Sequence, residues 1–138
     1  MTADLGLREL AAVAAGSAAG ALARRVLALW LAGPDPAALP VATLLANALG
    51  SFLIGLYVAL TLPGGPLERA GRVAGLFVTA GFCGGFTTFS IFSLEVLDLL
   101  RAGALPLAGI YMALSLATAL GGVWAGHRAG LTACRRGS

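Results

Sequence analysis

Apolar positions run along this chain in four long uncharged stretches, separated by short polar or proline-bearing punctuation. They are Leu10–Ala23, continuing past Arg24 and Arg25 to Ala32, then Leu39–Leu62, Val73–Leu94 and Ala102–Gly126. A helix needs about 20 apolar residues to cross a bilayer. The pattern therefore predicts four transmembrane helices, over about residues 5–32, 39–62, 67–101 and 103–130, forming a single all-α membrane domain. Gly33-Pro34-Asp35-Pro36 reads as a turn, and Pro40 suits the first turn of helix 2. Pro63-Gly64-Gly65-Pro66 separates helices 2 and 3, while Gly103 and Pro106 mark the start of helix 4. Connections this short leave no room for a soluble active site.

Composition agrees with the pattern. The 138 residues are 59% hydrophobic and 11% charged, too apolar for an ordinary soluble domain. The first stretch has a rival reading as a signal peptide, but Asp4 and Glu9 flank Arg8, and its middle is mostly Ala and Gly. The net charge of +3 comes from arginine, with no lysine. Arg135 and Arg136, read as lying beyond the last helix, suit an anchor near acidic lipid rather than a nucleic-acid patch. With four spans, Arg8, Arg69, Arg72, Arg128, Arg135 and Arg136 share one side, and Arg101 lies on the other. The positive-inside rule then favours cytoplasmic termini. Cys83 inside a helix and Cys134 in the tail do not form a disulfide framework.

Polar groups inside the spans carry the candidate chemistry, because hydrocarbon penalises them. Thr43 and Asn47 are four apart and share a face of helix 2; Tyr111, Ser115 and Thr118 form a stripe on helix 4. Helix 3 carries Thr79, Thr87, Thr88, Ser90, Ser93 and Glu95. A lone Ser or Thr usually bonds the carbonyl one turn back. Asn47 has more to satisfy, so it reads either as part of an aqueous or ion path or as a clamp between helices. Glu95 lies near the end of helix 3, within reach of the interface. Arg24 and Arg25 point about 100° apart on helix 1. One can snorkel to headgroups while the other faces protein or a watery vestibule, where it would attract anions. Glycines recur four apart at Gly16/Gly20, Gly71/Gly75, Gly81/Gly85 and Gly122/Gly126. That spacing suits close helix contact, within one subunit or between two.

The densest signal is residues 81–92, GFCGGFTTFSIF. Gly84-Gly85 lowers helix propensity, and two β-branched threonines follow, which suits a broken helix. A break frees backbone groups that lipid cannot satisfy, so membrane proteins tolerate one where those groups bind an ion or line a cavity. Carbonyls turned inward suit a small hard cation such as Na⁺. Phe86, Phe89 and Phe92 follow at intervals of three, a drifting helical stripe. Such a stripe is packing in most helices, but ring edges are electropositive and can also line the way for a small anion.

The run GFCGGFTTFSIFSLE, residues 81–95, resembles the signature of the CrcB/Fluc family of fluoride channels. Gly16 to Arg24, Thr43 with Asn47, and Tyr111 with Ser115 are in register with it, so the resemblance spans all four helices. It implies a subunit with helix 3 broken near its middle, paired with a second in an antiparallel, dual-topology dimer. Two narrow pores would run along the interface, with one structural Na⁺ at the centre. Gly84 and Thr87 would supply backbone carbonyls to the Na⁺, from both subunits. Phe89 and Phe92 would be the pore-lining rings, and Asn47 would orient a ring and contact fluoride. Tyr111 and Ser115 would belong to a polar track, with Thr43, Thr88, Ser93 and Glu95 near the pathway and Arg24 in the vestibule. The partner would be an identical chain or an oppositely oriented paralogue. Fluoride would leave the cytoplasm passively across the inner membrane, reducing fluoride toxicity.

Some positions depart from the family pattern: Ser17 follows Gly16, Ile91 lies between the two pore phenylalanines, and Ala119 leaves no hydroxyl one turn past Ser115. Among other four-helix readings, a small multidrug-type transporter needs a buried carboxylate in helix 1, where this chain has Glu9 at the margin and two arginines. A scaffold subunit would leave Asn47 and the Gly/Thr/Phe cluster unused. A membrane enzyme fits poorly with one histidine, His127, and no cluster of carboxylates.

Overall fold

The computed structural model describes residues 6–31 and 38–136; the turn read at Gly33–Pro36 lies outside the described residues. Helix α1 covers Leu7–Trp30 and α2 covers Val41–Leu60. The third span, Arg72–Arg101, is composite. It comprises α3 (Arg72–Leu76), a π-helical stretch (Phe77–Cys83), α4 (Gly84–Phe86) and α5 (Ser90–Arg101). Helix α6 covers Leu105–Arg136, so Cys134 and Arg135, read from sequence as tail, belong to its last turns. Gly130 does not stop this helix, because it is packed against Ala59 and Leu56 of α2. Four segments are thus long and apolar enough to cross a membrane. This is a multi-pass, all-helical membrane protein.

The molecule is packed by its small residues. Buried positions are chiefly Gly and Ala, whereas Leu116, Leu120 and Trp124 lie exposed on α6. That is the expected inversion in lipid, where tails solvate large apolar groups and helices gain most from close backbone approach. Two helix pairs use it. In the first, α1 lies against the π-helical stretch: a Cβ added to Gly16 would come 2.5 Å from the Phe77 carbonyl, and one on Gly85 would collide with the Ser17 carbonyl. In the second, α2 lies against α6: a Cβ on Gly122 would come 2.7 Å from the Ala48 carbonyl, and one on Gly126 would collide with that of Phe52. Gly71 meets nothing within 4 Å and Gly75 meets only the Tyr57 hydroxyl, so that pair does not make a helix crossing.

At one end, Glu9 fastens α1 to the third span. Its Oε2 accepts the Gly6 N–H at 2.8 Å, and its Oε1 lies 3.1 Å from Arg72 Nε. Toward the other end, Leu99, Ala108 and Tyr111 form the core where α5 meets α6, with Leu44 of α2 and Phe92 packed on it. Gly103, at φ 74°, makes the left-handed turn that lets α6 double back on α5.

Helical geometry lapses after Phe86 and resumes at Ser90. Thr87 has extended backbone, with φ −81° and ψ 159°. Gly84 and Gly85, the residues the sequence reading held responsible for a break, are themselves helical. Gly85 uses its missing side chain for contact with α1 instead. The wide π turns just upstream had no counterpart in the sequence pattern.

Candidate functional site

The interruption at residues 87–89 is held from α2. Asn47 Nδ2 donates to the Thr88 carbonyl at 3.0 Å, and Asn47 Oδ1 accepts the Thr88 N–H at 2.7 Å. The carboxamide thus acts as a strand-like partner for one residue of extended chain. In this geometry the amide clamps α2 to the third span, and one of its two N–H donors is left over. Thr88 Oγ1 then accepts the Ile91 N–H at 3.2 Å, which caps the restart of the helix at α5.

Carbonyls around the interruption divide into two sets. That of Cys83 takes both the N–H and the hydroxyl of Thr87, each at 2.9 Å. Gly85's accepts Arg24 Nε at 3.4 Å, and Phe89's accepts both the Ser93 N–H at 2.9 Å and the Ser93 hydroxyl at 2.8 Å. Among the described residues the Gly84 carbonyl has no such donor, because the Thr88 N–H that would serve it in a continuous helix is committed to Asn47. Among the described residues the Thr87 carbonyl has none either. Main-chain oxygens left bare at membrane depth are costly unless something meets them.

A cleft of about 440 Å³ opens beside the interruption, between α2 and α6. Its polar lining comes from Asn47, Ser51, Thr87, Thr88 and Ser115, and its aromatic lining from Phe89 and Phe92. Phe89 is 79% exposed. The two rings lie 5.7 Å apart, and Phe92 continues to Tyr111 at 5.2 Å. Ser115 Oγ is buried and has no hydrogen-bond partner among the described residues. Tyr111, one turn earlier, directs its own proton away from Ser115, donating it to Glu95 Oε2 at 2.6 Å. Glu95 Oε1 accepts the Thr43 hydroxyl at 2.8 Å. One carboxylate therefore ties α2, α5 and α6 together immediately behind Phe92.

Thus Asn47, Thr87, Thr88, Phe89, Phe92 and Ser115 line one cleft, while Thr43, Glu95 and Tyr111 form a hydrogen-bonded cluster next to it. Ser93 lies on the exposed side of α5, with its hydroxyl turned back on its own helix. Gly84 is exposed, and Arg24 is half-buried against the Gly85 carbonyl, whereas Arg25 is exposed. Sequence reasoning passed over Ser51. Its position four residues after Asn47, on the same helix face, was the available signal.

Known proteins resemble this chain over most of its length. A family model described as "CrcB-like protein, Camphor Resistance (CrcB)" matches residues 11–127. A protein of Symbiobacterium thermophilum named "Fluoride-specific ion channel FluC 2" is 44% identical over 119 residues, 86% of this chain and 94% of that one. One of Methylobacterium radiotolerans, named "Fluoride-specific ion channel FluC", is 47% identical over 117 residues, 81% of this chain and 80% of its own. A Thermus thermophilus protein of the same name is 43% identical over 126 residues, 91% and 96% of the two chains. With four apolar spans and a match extending from the first to the last of them, this chain belongs to the CrcB-like family.

Proposed function

We propose that this protein is a fluoride channel of the inner membrane that lets cytoplasmic fluoride leave passively, down its electrochemical gradient. The observation that carries the reading is the buried, unpartnered Ser115 hydroxyl in a cleft walled by the Asn47 amide and the Phe89 and Phe92 rings. Fluoride is small and strongly hydrated, and burying an unpaired ion costs on the order of tens of kcal/mol. A spare hydroxyl, a spare amide N–H and electropositive ring edges together offset part of that cost without gripping the ion. The relatives named as fluoride-specific channels support the same substrate.

One chain supplies only one wall of such a route. The open cleft and the exposed Phe89 ring favour closure by a second copy, or a paralogue, in antiparallel orientation across the membrane. The bare Gly84 and Thr87 carbonyls suit a structural Na⁺ at the seam. They are hard oxygen donors, and the described residues contain no cluster of His, Cys, Asp or Glu that would favour a different metal. When bound, Na⁺ would neutralise these oxygens and hold the interrupted segments of both chains together. Within this chain, Asn47 keeps the Gly84 carbonyl available by diverting the Thr88 N–H, and Arg24 occupies the neighbouring Gly85 carbonyl. Thr43, Glu95 and Tyr111 hold Phe92 in position from behind. Thr88 and Ser93 flank the route, and Arg24 draws anions toward it.

Efflux from liposomes tests this reading. Vesicles loaded with fluoride and carrying the purified protein should release it rapidly when an ionophore balances charge. Phe92→Ile should slow release while the dimer stays assembled. Wild-type efflux at the rate of empty vesicles would rule out the channel, and unchanged flux in Phe92→Ile would rule out this route.

A further inference from the structure

Twelve serine and threonine residues lie in the described part of the chain, and ten of their hydroxyls are hydrogen-bonded. Ser51 and Ser115 make no such bond, and both line the same cleft, the Ser115 Oγ buried and Ser51 half-buried. Ser115 is an expected member of the polar track, but Ser51 is not. A serine inside a helix normally returns its hydroxyl to the carbonyl one turn back, as Thr79, Thr87, Ser93 and Thr118 do here. Ser51 forgoes that bond in a span where an unmet hydroxyl is unfavourable, which points to a hydrogen-bonding occupant of the cleft.

Its surroundings say what it does there. Ser51 follows Asn47 by one helical turn, so the clamp amide and this hydroxyl lie on the same wall. Across from it, α6 carries Ala119 one turn beyond Ser115, where the polar track runs out of hydroxyls. The α2–α6 crossing is close at this level: a Cβ on Gly122 would come 3.4 Å from Ser51 Cβ. A hydroxyl on α2 can therefore serve the volume that a residue at position 119 would serve from α6.

We propose that Ser51 is a hydrogen-bond donor to fluoride in the cleft, and that it replaces from α2 the hydroxyl missing at Ala119. The assignment rests on the channel reading above. It makes the polar lining of this chain two-sided, with Ser115 donating from α6 and Ser51 from α2 to an ion moving between them.

Three proteins in the liposome efflux assay test it: wild type, Ser51→Ala, and Ser51→Ala combined with Ala119→Ser. Ser51→Ala should slow fluoride release about tenfold, equivalent to about 1.4 kcal/mol on the barrier. The added Ala119→Ser should restore most of the lost rate, which a purely structural role for Ser51 would not allow. Size-exclusion elution reports whether each variant keeps its assembly. Wild-type rates in correctly assembled Ser51→Ala overturn the Ser51 assignment and leave the channel reading intact. Slow release that Ala119→Ser does not restore also overturns it, because the loss then comes from packing. Release from wild type no faster than from empty vesicles overturns the channel reading and this assignment with it.

Discussion

Asn47 and Thr88, 41 residues apart, are joined by a two-way hydrogen bond in which one side-chain amide satisfies both the N–H and the C=O of one backbone residue. This pairing lets the third span depart from helical geometry at membrane depth without leaving Thr88 unmet. Asn47→Ala would strand both groups, and a backbone polar group left unsatisfied in a buried site costs about 1–3 kcal/mol. Thermal unfolding in detergent should show Asn47→Ala clearly less stable than wild type. Asn47→Asp should be impaired too, because it sets a carboxylate against the Thr88 carbonyl. A melting temperature unchanged in Asn47→Ala would mean the clamp is dispensable.

The two classes of glycine should separate sharply under substitution. At Gly126 an added Cβ runs into the Phe52 carbonyl, which belongs to backbone and cannot swing aside. Gly126→Val should destabilise the protein by at least about 1–3 kcal/mol, the usual range for overpacking, with loss of monodisperse protein in detergent. At Gly109, in the same helix, an added Cβ meets nothing within 4 Å. Gly109→Ala should be neutral, or stabilising by up to about 1 kcal/mol through helix propensity. Equal behaviour of the two variants would contradict the close α2–α6 crossing.

Removal of the Glu95 carboxylate should be worse than removal of the pair it forms. Tyr111 is fully buried and donates its hydroxyl to Glu95. Glu95→Ala leaves that hydroxyl without its acceptor and the Thr43 hydroxyl without its partner, a loss of about 1–3 kcal/mol or more. Adding Tyr111→Phe to Glu95→Ala removes one stranded donor and should recover part of the stability. A double-mutant cycle on melting temperatures measures the coupling, and strict additivity would place the two residues out of contact.

Cation exchange tests the Gly84 and Thr87 carbonyls directly, since backbone oxygens cannot be mutated away. If the proposed dimer is held by Na⁺ at these oxygens, protein purified with Na⁺ replaced by a bulky organic cation should fall to monomer and slow its fluoride release, and returning Na⁺ should reverse both. A dimer indifferent to cation identity at every Na⁺ concentration would leave those oxygens without the proposed role.

What the chain alone determined is what hydrocarbon imposes segment by segment. Length and polarity made the four spans legible, and helical period put Asn47 on the face of Thr43, because both properties are local to one segment. The glycine spacing also announced close crossings, though not which of them lay within the chain. The rest depended on which donors from neighbouring helices reach which carbonyls. Gly84-Gly85 looked like the place for a break, yet α1 took Gly85 as a contact surface and helical geometry lapsed at Thr87 instead. Asn47 was readable as a polar group needing partners, but only the approach of α2 to the third span made the Thr88 backbone that partner. Ser51 looked like any helical serine until the fold set its unbonded hydroxyl in the same cleft as Ser115. Local pattern encodes what each segment must bury, whereas a hydrogen bond between distant segments exists only once their packing has fixed the distance between them.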